Sequence, residues 1–191
     1  MIKEGRLQRR SLNSEIYISK FRQVLFRHGL TMTLITAICL CIPFIPSALF
    51  SSLSNLFLAP NKYIFWSFCV GVMILIFLKS TNRDLNLREI FWITYLFVIS
   101  FVEEITFRLS IPLVATEFFG IGLFWFYVFL SNILFAIIHY FTLRWKIRAC
   151  ILAFLGGMAF SRLFETTEDL ALVIILHWAI TFLNTPTAPK L

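Results

Sequence analysis

Residues 90–111 read Ile-Phe-Trp-Ile-Thr-Tyr-Leu-Phe-Val-Ile-Ser-Phe-Val-Glu-Glu-Ile-Thr-Phe-Arg-Leu-Ser-Ile. A helix needs about 20 mostly apolar residues to cross the hydrocarbon core, and this stretch is long and apolar enough. Yet it carries Glu103, Glu104 and Arg108 in its second half. An ionisable group at mid-bilayer costs roughly 2.5 kcal/mol or more. The stretch therefore reads as a membrane helix holding charges that must be paired or used.

The rest of the chain agrees with a membrane setting. Of its 191 residues 59% are hydrophobic and only 14% charged, and phenylalanine alone supplies 23. A soluble domain of this size cannot cover its surface with so few charges, and a disordered chain is poor in aromatics. An all-α, polytopic helical bundle remains. Six spans are expected: Gly29–Phe50, interrupted by Pro43 and Pro46; Tyr63–Leu78; Ile90–Ile111; Gly122–Phe141; Ile147–Phe164; and Leu170–Asn184. Residues 1–28 form a basic tail, residues 29–187 the bundle, and residues 90–184 its motif-bearing core. Gly156-Gly157 gives the fifth span a small-residue face suited to close helix packing.

Charge fixes an expected orientation. The net charge is +7, and seven of the 17 Lys and Arg residues precede Gly29. With the N-terminus inside, those seven join Lys79, Arg83, Arg88, Arg144, Lys146, Arg148 and Lys190 on the cytoplasmic side, 14 of 17. The positive-inside rule thus predicts both termini in the cytoplasm. The basic tail abuts an apolar segment, so its partner is the lipid bilayer and not nucleic acid. Cys39, Cys41, Cys69 and Cys150 all lie in apolar runs without metal-ligand spacing and read as small buried hydrophobes.

Further ionisable groups sit in the spans: His139 ends the fourth and His177 lies in the sixth, while His28 falls in the tail. Glu104 and Arg108 are four apart and pair along one helix face. Glu103 is turned about 100° from Glu104 and need not share the arginine. His177, Thr181 and Asn184 line one stripe. Plainer readings exist for each: a buried Glu104–Arg108 pair that fixes helix register, a hydrogen-bonded core histidine, a Thr181 bonded to its own helix, an Asn184 that caps a span. Five ionisable groups on three spans would each need a satisfied partner.

At these residues the chain resembles the CPBP intramembrane proteases, which include CAAX prenyl endopeptidases, bacteriocin-processing enzymes and abortive-infection-like proteins. Glu103-Glu104-Ile-Thr-Phe-Arg108 fits the EExxxR motif, and Phe135-Ala-Ile-Ile-His139 fits FxxxH. His177 begins the last motif, HxxxN or HxxxD, but position 181 is threonine, with Asn184 one turn on. The resemblance implies an endopeptidase acting on a membrane-associated, prenylated or precursor peptide. Glu103 or Glu104 with His139 would activate water, and His177 would help hold the oxyanion. Arg108 would be a positioning group, and Thr181 and Asn184 candidate oxyanion donors. The family has been described both with and without a metal. A divalent ion such as zinc, held by Glu103, His139 and His177, and no cofactor at all both stay open. The rival readings are a non-catalytic scaffold, an immunity protein or small subunit of a larger membrane complex, and a proton-coupled carrier.

Depth sets a condition. If the fourth span began at Phe118, His139 would lie about 31 Å deep, at the face opposite Glu103. The site assembles only if the chain between the spans absorbs the difference, by a helix that runs past Ile111, bends or dips. An irregular or amphipathic connection over Pro112–Gly122 is therefore expected.

Overall fold

A computed structural model of the chain describes residues 7–9, 18–185 and 188–190. Lys3, Arg6 and Arg10 of the expected tail lie outside the described residues. Those that are described form an all-α bundle with two isolated backbone bridges, Gln8 with Trp145 and Lys20 with Lys190. The helices are α1 (Phe21–Leu40), α2 (Ile45–Leu58), α3 (Pro60–Ser80), α4 (Leu87–Phe119), α5 (Ile121–Thr142), α6 (Ile147–Thr167) and α7 (Leu170–Asn184). Five of them, α1 and α3–α6, are long and apolar enough to cross a membrane; α2 and α7 are apolar but shorter. The chain is an integral membrane protein.

The first span differs most from expectation. Pro43 and Pro46 cannot continue a helix from the residues before them, so α1 ends at Leu40 and the chain restarts as α2 with Pro46 in its first turn. To gain length α1 begins instead at Phe21, inside the expected tail. Arg27 is accommodated there because its guanidinium donates to the carbonyls of Phe141 and Thr142, both at 3.0 Å, at the end of α5. Arg9 does the same for Tyr140 at 2.9 Å. These cations meet the orphaned carbonyls of a helix C-terminus.

α4 runs 33 residues, about 50 Å. Asn86 caps its start by accepting from the Glu89 N–H at 3.1 Å. Its middle, Ile105–Ser110, winds as a π-helix. Pro112 has no N–H to offer the carbonyl four residues back, and the Ser110 hydroxyl donates to the Ile105 carbonyl at 2.7 Å. The helix then continues to Phe119 and stops at Gly120, whose φ of +89° suits glycine. The connection is thus confined to Gly120 and the 3₁₀ turn Ile121–Leu123 that opens α5, and Pro112–Phe119 is helix. This satisfies the depth condition: Glu103 lies about 24 Å along α4 from Phe119, and His139 about 22 Å along α5 from Phe124.

Two further contacts set the register of the site. Asp169 caps α7 by accepting from the Leu172 N–H at 3.0 Å, and also accepts from the Tyr63 hydroxyl at 2.6 Å on α3. Leu170 and Ile174 then pack on Ile105 and Leu109 of α4, so the short α7 brings His177 level with Glu104. Between α5 and α6, a Cβ at Gly157 would overlap the Asn132 side-chain amide. The small-residue face of α6 does bring two helices together, at Gly157; Gly156 faces open space.

Candidate active site

Four helices deliver polar side chains to one buried point. Glu103 and Glu104 come from α4, His139 from α5, His177 from α7 and His28 from α1; all five are buried. The Glu103 carboxylate is the hub. Its Oε1 lies 2.8 Å from His28 Nε2 and 3.6 Å from His139 Nε2, and its Oε2 lies 3.6 Å from His177 Nε2. Glu104 faces the other way, as helix periodicity requires. Its Oε1 is 2.6 Å from His177 Nδ1 and its Oε2 is 3.2 Å from Arg108 Nε.

Each imidazole is oriented by its second nitrogen. His139 Nδ1 donates to the Phe135 carbonyl at 2.9 Å, one turn back. His28 Nδ1 meets the Thr142 hydroxyl at 2.9 Å, and His177 Nδ1 meets Glu104. All three rings therefore turn Nε2 toward Glu103. The π-turns assist: His28 lies in one, Leu25–Gly29, and the glutamates directly precede the other. Such turns recur where a helix must re-aim side chains at a functional site.

These groups line a cavity of about 370 Å³. Its wall is mostly apolar, with Trp92, Leu96, Phe135 and Phe160 among its residues, and Thr181 and Asn184 lie along the same wall beyond His177. The Asn184 amide donates to the Ile180 carbonyl at 2.9 Å. The lining also includes Leu152 and Ile180, whose side chains are exposed on the outside of the bundle. The cavity therefore reaches the lipid-facing surface between α6 and α7. Its other end meets Gln8, Trp145 and Pro189, where both terminal segments cross.

His28 falls in the expected tail, yet the fold brings it into the site. It lies 75 positions from Glu103, and its membership depends on α1 starting at Phe21. The signal available was its helical spacing to Met32 and Thr36; Thr36 shares a 2.6 Å hydrogen bond with Thr106 on α4.

A divalent ion fits a different donor set from the one expected. His28 Nε2, Glu103 and His139 Nε2 offer ligand atoms that all lie within 4.8 Å of one another. His177 is not in that group, because Glu104 holds its Nδ1 and its Nε2 faces the far oxygen of Glu103. Two imidazoles and a carboxylate with an open position suit zinc, and an outer partner on each imidazole is the usual arrangement at such sites.

The fold and the buried Glu/His cluster define a polytopic membrane protein built around an intramembrane polar site. Residues 86–183, just over half of the chain, match the family described as Type II CAAX prenyl endopeptidase Rce1-like. The chain belongs to that family, the CPBP class its motifs resemble. Comparison with curated proteins and with solved structures found no match.

Proposed function

We propose that this protein is an intramembrane endopeptidase that hydrolyses a peptide bond in a membrane-associated substrate, with Glu103 as the general base. The observation that carries the reading is the convergence of three imidazole Nε2 atoms on one buried carboxylate at the wall of a cavity open to the lipid. His139 Nε2 and Glu103 Oε1 are too far apart at 3.6 Å for a direct hydrogen bond and suitably spaced to share a water. That water's oxygen attacks the scissile carbonyl carbon while its proton passes to Glu103. His177, anchored through Nδ1 on Glu104, turns Nε2 toward the developing oxyanion. The C–N bond then breaks and Glu103 returns the proton to the leaving amine. Arg108 holds Glu104 and so sets the direction of the His177 ring. An ion held by His28, Glu103 and His139 would replace Glu103 as the group that activates the water, supplying Lewis-acid polarisation and a more acidic bound water.

The lateral opening favours a lipidated or membrane-embedded peptide, whose apolar portion lies against Leu152 and Ile180. The basic loop after α5 and both terminal segments share the far end of the cavity, which supports a cytoplasmic location for that end and for both termini. Thr181 favours a second reading, a non-catalytic membrane scaffold, because a hydroxyl stands where typical family members have an amide. Cleavage of a farnesylated CAAX peptide by the purified chain in proteoliposomes separates the two. Glu103→Gln should lower turnover by about 10²–10⁴-fold, the range for removing a general base, with the melting profile retained. A chain that folds, and cleaves neither this peptide nor a panel of unmodified membrane peptides, overturns the enzyme.

A further inference from the structure

Hydrogen-bond partners fix more than ring orientation in this site; they also fix which nitrogens carry hydrogen. The Phe135 carbonyl only accepts, so His139 carries a hydrogen on Nδ1 and its Nε2 faces Glu103 at 3.6 Å. Thr142 directs its one hydroxyl hydrogen at the Ile138 carbonyl, 2.7 Å away. His28 Nδ1 is therefore the donor to Thr142 Oγ1, and His28 Nε2 is left facing Glu103 Oε1 at 2.8 Å. Two imidazole nitrogens and a carboxylate oxygen thus point at one buried spot inside an apolar bundle, all within 4.8 Å of one another. Arg108 stays outside this group, since its one ion-pair partner among the described residues is Glu104.

The geometry points to a divalent transition-metal site formed by His28, Glu103 and His139, with the ligand from α1 lying outside the family-matched segment. Around a tetrahedral ion with Zn–N and Zn–O bonds of about 2.0–2.1 Å, neighbouring ligand atoms stand a little over 3 Å apart. The observed 2.8 and 3.6 Å bracket that spacing. Nitrogen-rich ligation with a single carboxylate favours Zn²⁺ or Co²⁺ over Mg²⁺ or Ca²⁺. Both imidazoles already have outer partners, Thr142 and the Phe135 carbonyl. The purpose of the ion, activation of water, rests on the peptidase reading above; its binding does not.

The test uses the full chain, purified in detergent, stripped with chelator and titrated with Co²⁺, whose visible absorption reports a low-symmetry nitrogen–oxygen site. Near-stoichiometric binding is expected, with Zn²⁺ displacing the signal. His28→Ala should abolish it. Thr142→Val, which keeps the shape and removes the outer partner of His28, should weaken binding about 10–100-fold and decides the matter if His28→Ala does not fold. No Co²⁺ or Zn²⁺ binding by the folded chain overturns the inference, as does unchanged affinity in the folded His28→Ala or, failing that, the Thr142→Val chain. A chain that cleaves peptide without binding an ion overturns this inference alone. One that binds the ion through His28 and cleaves nothing overturns the peptidase reading alone.

Discussion

Replacing Glu104 by glutamine isolates the charge that holds Arg108. Neither side chain has any exposed surface. The guanidinium has Glu104 Oε2 at 3.2 Å and the Phe135 ring centre 4.6 Å from its central carbon. Among the described residues none accepts a hydrogen bond from its Nε, Nη1 or Nη2. Glutamine keeps the shape and can still accept from His177 Nδ1, but it leaves a buried cation with no counter-charge. Removing one partner of a buried ion pair costs about 3–5 kcal/mol, so the unfolding equilibrium should move by about 10²-fold or more at 1.4 kcal/mol per factor of ten. Adding Arg108→Met removes the stranded charge and should restore stability to within about 1 kcal/mol of the parent. Unfolding in mixed micelles with rising SDS, followed by tryptophan fluorescence, measures all three proteins. If Glu104→Gln lies within about 0.5 kcal/mol of the parent, or the double variant is no better than the single, Glu104 does not hold Arg108 as described.

Gly157→Ala should destabilise by about 1–3 kcal/mol through overpacking against Asn132, whereas Gly156→Ala, which meets open space, should be neutral or mildly stabilising in the same assay. Asp169→Ala removes the α7 cap and the acceptor of Tyr63, and should cost about 1–2 kcal/mol; a melt equal to the parent's refutes that role. Thr181→Asn places an amide on the cavity wall and should raise turnover of a farnesylated peptide about tenfold or more, since an oxyanion donor is worth up to 10²–10³. Unchanged turnover in an active enzyme places the oxyanion elsewhere.

Much of this arrangement is legible in the amino-acid sequence, and the exceptions have physical causes. Charges in apolar runs mark α4, α5 and α7 because lipid leaves ionisable groups few places to be. The four-residue spacing of Glu104 and Arg108 already implies their pairing. The start of α1 is hidden because Arg22 and Arg27 look like tail residues. Only the tertiary position of the α5 C-terminus, with carbonyls needing donors, lets Arg27 ride on a membrane helix. His28 is hidden with it, being tied to Glu103 by packing and not by spacing. The continuation of α4 past Pro112 is masked by a proline that ordinarily argues for a break; the π-turn before it absorbs the lost hydrogen bond.

The segment matched to the family ends well short of α1, yet α1 supplies His28 against Glu103 and Thr36 against Thr106. A transplant of residues 86–183 into another membrane protein would carry every motif and leave one wall behind. The motifs specify the buried Glu and His groups, while the helix that closes them in is contributed by sequence with no signature of its own. Engineering of this scaffold should therefore treat residues 21–40 as inseparable from the motif helices.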